Sequence, residues 1–505
     1  MSEKNLKTES TEFRPPVVVV MGHIDHGKST LLDYIRKTNI VDGESGGITQ
    51  HLSAYQAHVV GEDGKEKKIT FIDTPGHEAF VTMRTRGASA ADIAVLVVSA
   101  EDGVKAQTKE AIRAIKEAGL PYIVAINKID KPGANMLKVK TDLAEADVMI
   151  EEYGGDVPAV GISAKTGVGI PEFLELLAII GEMKGFSGNP NTPAEGLVIE
   201  SHLDGKRGIS ATLLVKNGTL KSGMYVLAGT ALSTTRIMEH TTGKKTDVIH
   251  MSEPVSIVGF DELPVAGMEF RAYDSKNEAV AEATERKQGT KKVGATISES
   301  RTEDTLVIPL VVKSDAAGTL EAVLYEITKL DTPEVGFKII GSGIGDIGEN
   351  DARLAISDKT TVVVGFRSKI DNKTREILSQ NNIAVETFDI IYKLTEKLTE
   401  VRNARKPKFH REVVTGKTKV LKVFSKTKDR QIIGGRVIEG KIEVGNTCSI
   451  IRRENKIASG TIVGLEQGKS KTREVLENVE CGIQIECRNE IAPGDILESF
   501  MTVYE

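Results

Sequence analysis

The chain has 505 residues, a length typical of three or four domains. Hydrophobic residues make up 40% of it, which excludes wholesale disorder, and three cysteines are too few for a disulfide-stabilised secreted fold. No stretch approaches 18 consecutive apolar residues, so the sequence predicts a cytoplasmic protein with no membrane partner. The formal net charge of −6 does not by itself indicate a nucleic-acid partner, because the overall field is mildly repulsive to phosphate.

The first part of the chain is predicted to be an α/β domain. Residues 1–13 are predominantly polar and are expected to form a disordered tail. Between residues 14 and 184, apolar runs rich in β-branched residues alternate with helical patterns, which predicts a parallel sheet covered by helices on both faces. The predicted strands are residues 17–21, 69–72, 93–98, 122–126 and 159–162. A predicted helix at residues 107–118 ends before Gly119.

The rest of the chain is predicted to begin with a linker at residues 185–193, which is rich in Gly, Asn and Pro. Short alternating strands with frequent glycines then predict a β-barrel domain at 194–304. A second α/β segment, expected to have α/β/α layers, covers 305–389, and apolar residues at helical spacing predict a long connecting helix at 390–407. A C-terminal β-barrel follows at 408–505, so the predicted fold class is multidomain α/β plus β.

Residues 22–29 read Gly-His-Ile-Asp-His-Gly-Lys-Ser and match the phosphate-loop pattern Gly-x4-Gly-Lys-Ser/Thr. The loop follows an apolar run and precedes a helical pattern, so backbone N–H groups and the helix N-terminus can converge on phosphate oxygens. A glycine-rich turn without a ligand is the alternative. The residues predicted to bind nucleotide here are Gly22, Asp25, His26, Gly27, Lys28, Ser29 and Thr30.

Residues 127–130 read Asn-Lys-Ile-Asp directly after a predicted strand, and this position favours guanine over adenine. The Asp130 carboxylate can accept hydrogen bonds from guanine N1–H and its 2-amino group, which adenine does not offer. An ordinary helix cap is the alternative. Asn127 and Lys128 complete this motif, and a second predicted contact with the base comes from Ser163, Ala164 and Lys165, which follow the next strand.

A magnesium site is predicted between three segments of the same domain. Asp73 follows a predicted strand and can hold Mg²⁺ through water, while the backbone N–H of Gly76 can bond the γ-phosphate. The hydroxyls of Ser29 and Thr49 are the other two predicted metal ligands, with Thr49 ending a glycine-rich stretch. Loss of the γ-phosphate would release the two segments that contain Thr49 and Gly76. In this way the state of the nucleotide controls a conformational switch.

Four segments, residues 22–29, 46–51, 73–80 and 127–133, resemble the G domain of bacterial translation initiation factor two, and the similarity extends from residue 14 to the C-terminus. The resemblance implies a P-loop GTPase domain that binds GTP and GDP with Mg²⁺. It also implies that the protein brings formylmethionyl initiator tRNA to the small ribosomal subunit, acts with other initiation factors, and promotes joining of the large subunit. The family commonly has a long N-terminal extension, so we expect a short form here.

By the same resemblance, two residues have catalytic roles: His77 matches the histidine that positions the attacking water, and Ile24 matches an apolar gate. A helix-capping histidine at the surface is the alternative for His77. Because no arginine finger is evident in the sequence, slow intrinsic hydrolysis and activation by the ribosome are expected. Another translational GTPase, of the elongation or special-tRNA type, and an RNA-binding module with negligible turnover are the competing hypotheses.

The resemblance also places the formylmethionyl end of the tRNA in the C-terminal barrel. Glu480, Cys481 and Gly482 match the family's recognition motif, and Cys448 matches a second pocket residue. Where the family usually has a basic and aromatic cluster, this sequence reads Glu-Gln-Gly-Lys at 466–469, so only Lys469 matches. Polarizable thiols beside backbone donors suit a thioether and a formamide. The alternative is that each cysteine is a small buried hydrophobic residue, which is the only interpretation for Cys487.

Overall fold

A computed structural model describes residues 11–36, 49–60, 64, 66–241, 243–289, 306–406, 410–427, 429–468 and 470–504. They fall into two compact units, Met1–Arg405 and Lys406–Glu505. Both α/β and β architecture are present, so the predicted fold class is confirmed. The predicted glycine-rich stretch at 46–48 and Lys469 lie outside the described residues.

The first sheet of unit 1 has six strands in the order β3-β4-β2-β5-β6-β7, all parallel except β3, which runs antiparallel to β4. The strands up to the end of this region are β1 (Glu12–Phe13), β2 (Val17–Gly22), β3 (Ser53–Val60), β4 (Glu66–Asp73), β5 (Ile93–Ser99), β6 (Tyr122–Asn127), β7 (Ala159–Gly161) and β8 (Ser187–Gly188). The helices are α1 (Lys28–Arg36), α2 (Val81–Ala90), α3 (Ala106–Glu117), α4 (Met136–Glu145) and α5 (Ile170–Lys184), with 3-10 turns at Glu78–Phe80 and Glu151–Tyr153.

Two sequence predictions about this region need correction. The tail was predicted to be disordered through residue 13, but β1 pairs with β8 in the predicted linker, so Glu12 and Phe13 are ordered by backbone hydrogen bonding. The sheet was predicted to be parallel throughout, but β3 was missed because its apolar residues Ala54, Tyr55 and Ala57 do not form the continuous β-branched run typical of the central strands. Strands β2 and β5 are completely buried, as that pattern predicts.

The second region of unit 1 is a seven-stranded antiparallel sheet in the order β13-β12-β17-β9-β10-β16-β14. Its strands, with the short pair β11 and β15, are β9 (Glu195–Asp204), β10 (Gly208–Asn217), β11 (Leu220–Lys221), β12 (Tyr225–Ala228), β13 (Ala231–Thr234), β14 (Ile237–Glu239), β15 (Val248–Ile249), β16 (Pro254–Val258) and β17 (Glu269–Tyr273). Their inward side chains form one apolar cluster, and α6 (Lys276–Gly289) follows the last strand.

The third region of unit 1 is a four-stranded parallel sheet in the order β19-β18-β20-β21. Its elements are β18 (Leu306–Ser314), α7 (Ala317–Lys329), β19 (Val335–Ile344), α8 (Glu349–Ile356), β20 (Val362–Phe366), α9 (Asn372–Gln380), β21 (Ala384–Phe388) and α10 (Ile391–Arg405). The predicted connecting helix corresponds to α10. It does not stand apart from the domains, because its apolar face (Ile391, Leu394 and Leu398) is buried in the core that the third region shares with the first.

Unit 2 is a closed antiparallel barrel of six strands, in which β22 pairs with both β29 and β23 and so completes the ring. Its strands are β22 (His410–Lys426), β23 (Arg430–Glu443), β24 (Thr447–Arg452), β25 (Asn455–Gln467), β26 (Ser470–Thr472), β27 (Glu474–Leu476), β28 (Glu480–Glu486) and β29 (Ile496–Tyr504), with β26 and β27 as additions at its side. Alternate residues of the ring face one apolar interior, as expected for a barrel.

Candidate nucleotide site and C-terminal groove

The predicted phosphate loop connects buried β2 to α1 and depends on two glycines. Gly22 has φ +146°, and a Cβ atom there would lie 2.3 Å from the carbonyl oxygen of Val97. Gly27 has φ +86°, and its Cβ would lie 2.3 Å from Nδ2 of Asn127. Any other residue would therefore clash at both positions as well as strain the backbone. The loop passes close to β5 and to the Asn127 segment only because these positions are glycine.

Lys28 is the first residue of α1 and is almost completely buried. Its Nζ donates a hydrogen bond to the carbonyl oxygen of His23, 2.7 Å away, which folds the side chain back over the loop. Burial lowers the pKa of Lys28 to about 8, while the nearby Asp73 carboxylate opposes this shift. A buried ammonium group next to backbone N–H groups creates a strong local preference for an anion.

The three predicted magnesium ligands lie together. Oγ of Ser29 is 2.7 Å from Oγ1 of Thr49, and that hydroxyl donates to Oδ2 of Asp73 at 3.3 Å. Two hydroxyls and a carboxylate are hard oxygen donors, the type that Mg²⁺ takes from a protein while keeping water and phosphate oxygens for its other positions. The donor set therefore fits the predicted ion.

The predicted guanine segment is fixed to the phosphate loop by Asn127. Its Nδ2 donates to the carbonyl oxygen of His26 at 2.9 Å, and its Oδ1 accepts the backbone N–H of Ala164 at 2.9 Å. Oγ of Ser163 donates to Oδ1 of Asp130 at 2.7 Å, and this hydrogen bond is the main cause of the lowered pKa of Asp130. Asp130 is exposed and ionised, so its remaining oxygen sites can accept hydrogen bonds from a base.

These segments surround one cleft with a cavity volume of about 210 Å³. Its lining residues are Ile24, Asp25, Gly27, Lys28, Ser29, Thr30, Thr49, Gly76, His77 and Lys128. All ten were predicted from the sequence. The remaining predicted residues lie next to this lining: Asp73 bonds Thr49, Asn127 bonds the loop, and Lys165 is exposed beside Asp130. Gly76 is packed so closely that a Cβ atom would lie 2.4 Å from Nζ of Lys28.

His77 combines both of the roles considered for it from the sequence, because it caps a helical turn and also lines the cleft. Its Nδ1 accepts the backbone N–H of Ala79 at 2.9 Å, and burial lowers its pKa. Buried Arg84, which was not predicted as a site residue, donates to the carbonyl oxygen of His77 at 2.6 Å and pairs with Glu110 at 2.8 Å. No spacing or motif in the sequence marks Arg84, since its contacts depend on the fold of α2 against α3.

In unit 2, three of the predicted tRNA residues line a groove with a cavity volume of about 400 Å³. They are Glu480, Cys481 and Gly482 of β28, and Cys481 lies directly opposite Gly435 of β23. Burial raises the pKa of Cys481 to about 11, so it is a neutral thiol. The groove is also lined by Leu421, Phe424, Gly434 and Gly435, which were not predicted from the sequence. No pattern in the sequence marks Leu421 and Phe424, because the exposure of these apolar side chains is visible only in the structure.

Cys448 does not line this groove, which corrects the prediction that placed it in one pocket with Cys481. It is completely buried, and it neighbours Cys487, which directly follows β28. Cys481 and Cys487 are six residues apart along an extended chain, which corresponds to about 20 Å. Burial raises the pKa of Cys448 to about 12, as expected for a small core residue.

Comparison with known families supports the organisation of unit 1. The model of the elongation factor Tu GTP binding domain matches residues 14–181, that of elongation factor G domain 2 matches residues 193–272, and that of translation-initiation factor 2 matches residues 282–399. None of the helices in the described part of the chain combines the length and apolar character needed to cross a membrane.

Curated relatives match almost the whole chain. A translation initiation factor IF-2 of Halothermothrix orenii is 41% identical over 504 residues, covering 98% of this chain and 73% of the relative. One of Bacteroides fragilis is 40% identical over 505 residues, covering 98% of this chain and 49% of the relative. Among solved structures, GDP-bound aIF5B from Aeropyrum pernix is 26% identical with a TM-score of 0.48, covering 97% of this chain and 92% of that one.

Proposed function

The chain belongs to the bacterial translation initiation factor IF-2 family, and we propose that this translation initiation GTPase binds formylmethionyl initiator tRNA and hydrolyses GTP on the ribosome. In this proposal it also promotes placement of the tRNA on the small ribosomal subunit and the joining of the large subunit. The observation that supports the GTP site best is the cleft whose ten lining residues come from four separate motifs. The proposed place of action is the cytoplasm, together with other initiation factors.

We assign the binding of GTP to side chains whose chemistry matches each part of the nucleotide. The Lys28 ammonium binds the β- and γ-phosphates, and Asp130 accepts hydrogen bonds from guanine. Ser163, Ala164 and Lys165 close the base site from the other side. Ser29, Thr49 and Asp73 would hold Mg²⁺, which would supply positive charge that neutralises the phosphates.

For hydrolysis, His77 orients the attacking water and Ile24 restricts access to it. Arg84 supports the backbone of this loop from behind; it does not line the cleft and is already engaged by Glu110 and the carbonyl oxygen of His77. Arg84 is therefore not available as a cationic group on the γ-phosphate, which is consistent with slow hydrolysis until the ribosome activates the site.

The groove of unit 2 is the proposed site for the formylmethionyl end of the tRNA. Cys481 offers a polarizable thiol, Leu421 and Phe424 offer apolar surface to a methionine side chain, and the glycines of β23 keep the floor open. The Phe424 side chain is 63% exposed, so it is available to a ligand. Glu480 is paired with Arg436 at 2.6 Å, and this pair lies at the rim.

One experiment tests the GTPase proposal: GTP hydrolysis by the whole protein, measured with and without ribosomes, for the wild type and for His77→Ala. Ribosomes should raise the wild-type rate by a factor of up to about 10⁵, and His77→Ala should remove most of this gain. If ribosomes do not change the wild-type rate, the proposed mechanism is wrong. A second experiment compares the binding of formylated and unformylated initiator tRNA, and equal affinities would refute the proposed groove.

A further inference from the structure

The imidazole ring of His77 is held by three contacts. Its Nδ1 accepts the N–H of Ala79, and its ring lies edge to face against Phe80, with centroids 6.0 Å apart. The closest aromatic contact is with Tyr392, at a centroid distance of 4.4 Å and an interplanar angle of 69°. Phe80 comes from the same 3-10 turn, whereas Tyr392 belongs to α10 of the third region. A helix distant in sequence therefore contacts the side chain that is proposed to position water.

The hydrogen bond to Ala79 uses the only acceptor of the neutral ring. A backbone N–H can only donate, so Nδ1 is the acceptor and Nε2 carries the proton. Because burial lowers its pKa, His77 is neutral at pH 7. In this arrangement no ring nitrogen can accept a hydrogen from an attacking water. The ring has to leave the capping position before it can accept that hydrogen.

The start of α10 is fixed against the nucleotide cleft by a second contact. Nε2 of Gln50 donates to the carbonyl oxygen of Asp389 at 2.8 Å, and Gln50 directly follows the cleft residue Thr49. Ile391 is completely buried, so the first turn of α10 is well anchored. Tyr392 itself is 44% exposed, and so its ring is not needed to fill the core. Its main aromatic contact is the one with His77.

We propose that Tyr392 is a positioning residue that holds His77 in the capping orientation, and so keeps hydrolysis slow until the contact is lost. This inference rests on the proposed water-positioning role of His77. The interaction free energy of an edge-to-face aromatic pair corresponds to a factor of about 2 to 10 in a reaction rate. Tyr392 does not itself line the nucleotide cleft, so it acts on the reaction only through the histidine.

The test is the ribosome-independent kcat and KM for GTP of the whole protein. Tyr392→Ala should raise kcat about 2- to 10-fold with an unchanged KM, since the cleft lining is intact. Tyr392→Phe keeps the ring and should match the wild type, whereas Tyr392→Leu keeps apolar bulk and should behave like the alanine variant. Tyr153→Ala is the matched control, because Tyr153 is similarly exposed, at 41%, and does not line the cleft. The double variant of Tyr392→Ala with His77→Ala should be no faster than His77→Ala.

The results separate this inference from the proposed function. The proposed restraint of His77 by Tyr392 is contradicted if kcat is unchanged or lower in both Tyr392→Ala and Tyr392→Leu while their melting temperatures stay near that of the wild type. A gain that persists in the double variant also overturns it, because the effect would then not pass through His77. The proposed role of His77 fails separately, if His77→Ala keeps the full ribosome-stimulated rate.

Discussion

The nucleotide cleft is built mainly from segments that follow the strands of one sheet, whereas the C-terminal groove is built from residues within antiparallel strands. The cleft uses residues after β2, β4 and β6, whose carboxyl ends meet at one edge of the sheet, together with Thr49, which precedes β3. The groove uses β22, β23 and β28, together with Glu466 and Gly468 near the end of β25. Every lining residue of the cleft was predicted, but the groove shares only three residues with the prediction.

A site at the edge of a parallel sheet is therefore open to prediction from the sequence. Except for the Thr49 segment, each motif follows an apolar run, and parallel strands bring their carboxyl ends together whatever the loops between them are. In an antiparallel barrel, which residues face each other depends on the register of pairing. Cys481 faces Gly435, and the distant Cys448 lies beside Cys487, a result that no spacing in the sequence indicates.

The sharpest test of the cleft is Asp130→Asn, which should invert the preference for the base. An amide can donate to the 2-oxo group of xanthine but cannot accept both guanine donors, so a discrimination of about 10⁴ in favour of GTP should be lost. Competition between GTP and xanthosine triphosphate measures this change. Asp156→Asn, a change at another exposed acid of the same region, is the control. A GTP preference that survives in Asp130→Asn contradicts the assignment.

The next largest effect is expected from Lys28→Met, which removes the buried ammonium group and keeps the apolar stem. Two charge-assisted hydrogen bonds to phosphate should be lost, so GTP should bind about 100-fold more weakly. Titration with a fluorescent guanine nucleotide measures the affinity. Lys116→Met, at an exposed lysine of α3, should bind as the wild type does. Wild-type affinity in Lys28→Met would mean that the loop does not hold phosphate.

The same lysine predicts a pH dependence. The pKa of Lys28 in the free protein is about 8, and phosphate binds the protonated form. The affinity for GTP should therefore be constant below that pH and should fall above it, by at most about tenfold per pH unit. Titrations between pH 7 and pH 9 measure this slope. In Lys28→Met the slope should disappear, and a slope that remains would have to come from another group.

The smallest effects are expected in unit 2, where a substitution in the groove and one in the barrel interior should have different consequences. A Cβ atom on Gly482 would meet Glu466 at 3.7 Å, so the Gly482→Val variant should fold normally. The added side chain would occupy the groove and should weaken the binding of formylmethionyl initiator tRNA about fivefold.

Cys448→Ala should instead cost about 1 kcal/mol of stability without changing tRNA affinity, because Cys448 is an interior residue. Binding assays and thermal unfolding distinguish the two, and the reverse pattern would restore the pocket predicted from the sequence.

Several features of the fold were predictable because they depend on local patterns. The central strands β2 and β5 and the helix α3 follow from continuous apolar runs and from a helical period. The strand β3 was not predictable in this way, because an edge strand with polar residues has a weak pattern. The packing of α10 was also not predictable, since an apolar stripe shows that a helix is buried on one side but not which surface covers it.

For this GTPase of the IF-2 family, the sequence predicted the ligand and the residues that would surround it, because phosphate, magnesium and guanine recognition each need a few residue types at short, fixed spacing. Which distant side chains meet is visible only in the folded chain. It placed Tyr392 of α10 against His77, set Arg84 behind the same loop, and separated Cys448 from Cys481. These contacts arise from helix packing and strand register, which depend on the whole chain and leave no local pattern.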